Sequence, residues 1–234
     1  MMKKLLILII CLIFTRAAVA NPLFLLAGSQ SAVVPTVTYL INEGFEGTGF
    51  PTESFNSAAS APAGLDYDYT ADALSGSKSL YADYVDTAIS LETNAFASST
   101  TLYVGAKIKP KTIGGTNQQG FIVFYDVNNI RGSVFLWISG AVSASPIGGT
   151  IVTSSAGVLQ VDTTVYLKVR AVSGTGSNST MTVWTSTDGT LWTERAHSSN
   201  GTFTGNWEKV GLEFRNSYDF IVDDVKVANE DFNM

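Results

Sequence analysis

From Val37 onward, apolar and polar side chains alternate in short runs broken by turn formers. Alternation with period two is the mark of a strand with one buried face. It is cleanest in Thr164–Val172, where Val165, Leu167, Val169 and Ala171 share one face and Tyr166, Lys168 and Arg170 the other. Glu208–Arg215 repeats it, with Val210, Leu212 and Phe214 against Lys209, Glu213 and Arg215. The same reading predicts strands over Val37–Phe45, Leu65–Thr70, Lys78–Tyr84, Ala88–Glu92, Thr101–Lys109, Gly120–Val127, Ser133–Ile138, Thr150–Ser154, Thr180–Ser186, Leu191–Ala196 and Tyr218–Val227. Gly47-Thr48-Gly49, Ser75-Gly76-Ser77, Gly114-Gly115, Gly148-Gly149, Gly174-Thr175-Gly176 and Asp188-Gly189 supply the turns between them. No window carries a 3.6-residue period flanked by caps, so the chain reads as an all-β, antiparallel two-sheet sandwich.

One strand breaks the pattern. Tyr218–Val227 is aromatic and β-branched except for Asp223 and Asp224, adjacent carboxylates where apolar residues are expected. A buried carboxylate without a donor, cation or metal costs several kcal/mol, so at least one of the two needs a partner. Hydrogen-bond donors, a lysine or a metal ion would each serve.

The first residues differ from the rest. Lys3 and Lys4, the apolar run Leu5–Phe14 and Ala18-Val19-Ala20 form the three regions of a secretory signal peptide, with cleavage expected before Asn21. Residues 21–36 read as a leader, 37–228 as the sandwich and 229–234 as a C-terminal tail. No apolar run reaches the roughly 20 residues of a membrane span. The expected location is secreted or extracytoplasmic, in a periplasm or at a cell surface. Cys11, the single cysteine, lies in the apolar run, which leaves the sandwich without thiol chemistry. Of 14 basic residues, Lys3, Lys4 and Arg16 fall within the signal, leaving 11 against 20 acidic side chains. A nucleic-acid partner, which needs a basic stripe, is excluded by that balance, and a carbohydrate or cell-surface polymer is favoured.

Candidate chemistry is sparse. His197 is the only histidine and sits in a polar run that reads as an exposed loop; no Gly-x-Ser-x-Gly elbow surrounds a serine. Two carboxylates of a single strand face a sugar bond together only at i and i+2. Asp66 and Asp68 alone meet that spacing, and a solvated edge accounts for them. The expectation is no catalytic residue and no enzyme. For binding, Trp137, Trp184, Trp192, Trp207, Tyr125 and Tyr166 offer rings that stack on sugars. Trp184 is out of phase with Met181 and Val183 and so points outward, while Trp192 reads as packing on its own hairpin. Trp184, Tyr166, Lys168, Arg170, Lys209 and Arg215 form the candidate ligand-binding set.

Three short stretches resemble a family. Ile41-Asn42-Glu43-Gly44-Phe45-Glu46-Gly47 with Gly49-Phe50-Pro51, then Gly76-Ser77-Lys78-Ser79-Leu80, then Phe220–Val227 containing Asp223-Asp224-Val225, are similar to the concanavalin A-like jelly rolls, in particular MAM-like, laminin-G-like and carbohydrate-binding domains. The resemblance spans residues 40–227 and rests on short motifs. It implies that the first and last strands lie side by side, with a structural calcium held by Glu46 and one of Asp223 or Asp224, completed by carbonyls near Ser77-Lys78. The same carboxylates satisfied by hydrogen bonds are the alternative. The function expected from all this is a secreted, non-catalytic glycan-binding module. A structural or adhesive domain of a cell-surface or virion-like assembly comes second and a polysaccharide lyase or hydrolase third.

Overall fold

The structure, a computed structural model, describes residues 37–47, 52, 54–58, 64–83, 89–113, 119–127, 129–137, 139–214 and 219–234. The expected signal and leader, the Gly49-Phe50-Pro51 motif and Arg215 lie outside them. Among the described residues there is no helix, and none long and apolar enough to cross a membrane.

The strands are β1 (Ile41–Glu43), β2 (Phe55–Ala58), β3 (Leu65–Tyr69), β4 (Ser79–Ala82), β5 (Ile89–Thr93), β6 (Thr101–Pro110), β7 (Gln119–Tyr125), β8 (Ile130–Leu136), β9 (Val142–Pro146), β10 (Val152–Thr153), β11 (Val165–Val172), β12 (Ser179–Ser186), β13 (Thr193–Gly201), β14 (Lys209–Phe214) and β15 (Phe220–Ala228). They form two antiparallel sheets packed as a jelly-roll sandwich. The first runs β13-β12-β11-β6-β15-β4-β3, with β1 added beside β15; the second runs β10-β9-β8-β7-β14-β5-β2. The expected alternation holds in β11 and β14, whose Val165, Leu167, Val169, Ala171, Val210, Leu212 and Phe214 all enter one core cluster. That core also takes Phe45, Phe55, Phe121, Phe124, Trp207 and Phe220, with Trp207 and Phe203 rings 4.2 Å apart. Burial of large apolar side chains at both inner faces is what joins the sheets.

Two strands escape the sequence pattern. β9 is Val-Ser-Ala-Ser-Pro, whose small residues carry little strand propensity, and β2 is a short pair with β5. β13 also continues past Ala196 to Gly201, so His197 is a strand residue rather than a loop residue. It remains exposed, with its Nδ1 2.8 Å from Thr182 Oγ1.

Candidate functional site

Three places gather the chemistry of this chain. The first is the clasp between β15 and the loop before β4. β15 pairs with β4 through Val222 and with β1 from Val225 onward, and its register against β6 slips between Asp223 and Lys226. The slip is a bulge, with Asp224 at φ 46°, a conformation that aspartate tolerates better than most residues. Because of it, two successive carboxylates turn to the same loop instead of opposite faces. Asp223 is fully buried and accepts from Ser75 N (2.8 Å), Ser79 Oγ (2.8 Å) and Asp224 N (2.7 Å). Asp224 accepts from Ser75 Oγ at 2.8 Å and from Lys107 Nζ at 2.5 Å. Glu46, exposed, accepts from Ser77 N and Ser77 Oγ (2.7 Å) and from Lys78 N.

The expected carboxylates therefore sit on the expected loop, but donors occupy their oxygens, and the cation among them is Lys107. Ser77 and Lys78 offer N–H groups here, where calcium would need carbonyl oxygens. Among the described residues no group of three or more acidic, histidine or cysteine side chains is gathered for a metal. This donor set fits a hydrogen-bonded clasp and does not fit calcium.

Burial pushes the Asp223 carboxyl up to about 6, against its bonds from Ser79 and Asp224 N; the Asp224 charge adds to the rise. Hydrogen bonds from Lys107 and Ser75 outweigh the burial of Asp224 and hold it below the ordinary range. A carboxyl raised in the folded state binds its proton more tightly there, so its contribution to stability is complete below its unfolded pKa and is lost as pH rises through the folded one. We expect the stability difference between wild type and Asp223→Asn to fall by about 3 kcal/mol as the pH rises from the ordinary 3.8 past about 6. Denaturant titrations at several pH values measure it, and a flat difference would contradict the assignment.

The second place is the outer face of the first sheet, where the candidate binding residues of β11 lie. Trp184 stands opposite Lys168 in register and outside the core cluster. Every cation of the row already has a ring or carboxylate. Lys107 Nζ lies 5.5 Å from the Tyr166 ring, Arg170 lies over Tyr103 at 5.9 Å, and Lys168 lies 4.4 Å from the Trp192 ring and 5.9 Å from that of Trp184. Lys168 is 5% exposed because the C-terminal tail covers it, its ammonium donating to Asp231 Oδ1 (2.7 Å) and the Phe232 carbonyl (3.2 Å). Trp192 reaches past its own hairpin to Asn233 Oδ1 at 3.0 Å. Asp66 and Asp68, on β3, are exposed, and Asp68 is bridged by Lys78 at 3.0 Å.

Lys209 is not with them. It belongs to β14 in the second sheet, and the third place is the outer face of that sheet. Register sets Lys209 against Tyr125, Gly211 against Val123 and Glu92, and Glu213 against Ser90. Tyr125 and Val123 are buried yet lie outside the core cluster, which puts them on the outward side. The Tyr125 ring crosses Gly211, where an added Cβ would come within 3.1 Å of Tyr125 Cε2 and 3.2 Å of Ser90 Oγ. Its hydroxyl lies 3.2 Å from Ser90 Oγ. Lys209 Nζ bonds Glu92 Oε2 at 3.1 Å and lies 5.4 Å from the Tyr125 ring. Burial first, then the Glu92 and Glu213 charges, raise the Tyr125 phenol above its ordinary pKa, so it stays protonated. Farther along the face, half-buried Phe135 and Trp137 follow on β8 and just beyond it, Trp137 Nε1 donating to Ser143 Oγ at 2.8 Å. Ser90, Glu92 and Gly211 were missing from the sequence reading. Ser90 and Glu92 alternate with Ile89, Leu91 and Thr93, a signal that was there to use; the flatness required at Gly211 is visible only once β7 and β14 are paired.

No protein-family model matches the sequence, and no curated protein matches it. Solved structures do. Endo-β-1,4-glucuronan lyase from the fungus Trichoderma reesei matches with a TM-score of 0.55 at 10% identity, covering 82% of this chain and 96% of that one. Cellulose induced protein, Cip1, matches at 0.56 and 16%, covering 83% and 99%. The PL-14 alginate lyase from Aplysia kurodai matches at 0.54 and 8%, covering 82% and 100%. The shared fold is an antiparallel two-sheet jelly-roll sandwich. The expectation of no enzyme is corrected by these neighbours: two of the three are polysaccharide lyases, so this fold is compatible with catalysis.

Proposed function

We propose that this is an extracytoplasmic protein that cleaves a polysaccharide on the outer face of its second sheet. The observation that carries the reading is the placement of the Tyr125 phenol, laid over Gly211 and 3.2 Å from Ser90 Oγ, beside Glu92, Lys209 and Glu213. Breaking a glycosidic bond needs a proton for the departing oxygen and a base for the other reactant. The Tyr125 hydroxyl carries a proton that can pass to the departing oxygen, and a carboxylate on the adjoining strand is a base within the same cluster. Lys209 fixes the orientation of Glu92, and Phe135 and Trp137 extend an aromatic surface on which sugar rings stack. Two fold neighbours, lyases of glucuronan and alginate, support the substrate class. Residues 1–20 support export, with the signal removed and residues 21–36 leading into the sandwich.

The test is a screen of neutral β-glucans and polyuronates with the mature protein. Reducing ends report any scission, and the ultraviolet absorbance of an unsaturated sugar separates elimination from hydrolysis. We expect scission of at least one polymer, abolished by Lys209→Met together with Glu92→Gln. Folded protein that cuts none of these polymers would sink the proposal.

A further inference from the structure

The C-terminal tail fills a seat that is built like a peptide-binding groove. Gly105 of β6 is its floor: an added Cβ there would run into Met234 Sδ and come within 2.8 Å of the Phe232 ring. Tyr39 closes one side, edge-on to Phe232 with centroids 5.4 Å apart. Lys168, Trp184 and Trp192 close the other, where the buried ammonium takes the Asp231 carboxylate and the Phe232 carbonyl. Hydrogen bonds fix the ends, Thr38 N donating to the Glu230 carboxylate Oε1 at 3.3 Å and Met234 N donating to the Gly189 carbonyl at 3.2 Å. The seat thus reads a short linear signal: a carboxylate on Lys168, an aromatic ring in the trough over Gly105, and an amide at Trp192 Nε1. Phe232 is buried on this face but stands outside the core cluster that joins the two sheets. The occupant is therefore held by side-chain and end contacts on an outer surface, and leaving it exposes the groove without opening the sandwich.

We infer that this face is a recognition groove for an acidic–aromatic peptide segment, which residues 230–234 fill in the resting chain and which a segment of the same chemistry on another polypeptide can occupy. Such exchange turns on competition. A tethered tail acts at an effective concentration on the order of millimolar, so a free peptide competes poorly until the tail is weakened.

The experiment uses the full chain carrying Asp231→Asn and Phe232→Ala, changes outside the core cluster that loosen the tail and leave the groove intact. The probe is a synthetic peptide of residues 228–234, Ala-Asn-Glu-Asp-Phe-Asn-Met, followed by calorimetry and by the fluorescence of the tryptophans. Saturable one-to-one binding to the variant is expected, at least ten-fold tighter than to wild type. Replacing the peptide's own aspartate by asparagine, or its phenylalanine by alanine, is expected to weaken binding a further ten-fold; these probes leave the protein untouched. A variant that keeps its near-ultraviolet circular dichroism but binds no peptide overturns the inference. So does equal binding of the three peptides, or an oligosaccharide taking the seat in place of the peptide.

Discussion

Lys107→Met should destabilise the sandwich by about 2 kcal/mol at neutral pH, less than the roughly 3–5 kcal/mol that removing one partner of a fully buried ion pair costs, because this pair is only partly buried. Among the described residues, Lys107 is the cation bridged to the Asp224 carboxylate, and it also donates to Ser75 Oγ at 2.9 Å. Ser75 in turn donates its hydroxyl to Asp224 and its backbone N–H to Asp223. Methionine keeps the length of the side chain and its packing on Tyr166, so the lost charge is what is measured. Without the ammonium, two adjacent carboxylates face each other in a site already low in water. Their proton affinity rises and the folded state takes up a proton. The loss must then be smaller at pH 4, where that proton comes free of charge, than at pH 7. Denaturant unfolding at the two pH values decides it: a loss under about 1 kcal/mol at pH 7, or the same loss at both, would show that the clasp does not depend on Lys107. A chelator added to wild type should leave the midpoint where it is, because the cation that closes this clasp is covalently part of the chain.

How much of this could be read from the sequence follows from which contacts are local. The alternation in β11 and β14 is a local property, and it gave both strands with their faces. The Asp223-Asp224 pair announced itself because charge in an apolar run is a conflict that any fold must resolve. What resolves it could not be seen: Lys107 looks like any polar residue on an alternating strand until β6 is set beside β15. The same limit divided the candidate binding set. Lys168 and Lys209 have identical local signatures, outward lysines on amphipathic strands, yet one lies in the first sheet and the other in the second. Sheet membership is a matter of topology, and alternation carries no information about it. The tail was hidden for another reason. Asp231-Phe232-Asn233-Met234 has no period and no turn signal, and its meaning comes from the Gly105 trough on which it rests.

The second large effect belongs to Tyr125. Tyr125→Phe removes one hydroxyl and its bond to Ser90, a change of about 1 kcal/mol in stability, but it removes the proposed proton donor outright. On whichever polymer the screen identifies, turnover should fall by about 10²- to 10⁴-fold, the range for a positioned acid, with KM little changed. Wild type should hold its activity to the alkaline side of the ordinary tyrosine pKa of about 10, because burial and the two glutamates raise the phenol. The residual activity of the phenylalanine variant should lack that limb. Gly211→Ala separates chemistry from placement. Its methyl group would stand 3.1 Å from the Tyr125 ring and 3.2 Å from both Ser90 Oγ and the Leu91 carbonyl, so the ring must shift by a few tenths of an ångström while the phenol survives. Turnover should drop, because small displacements of a positioned group are expensive, but the alkaline limb should persist. If Tyr125→Phe stays within about three-fold of wild type, the phenol is not the acid. The carboxylates of Glu92 and Glu213 must then do the proton transfer without it.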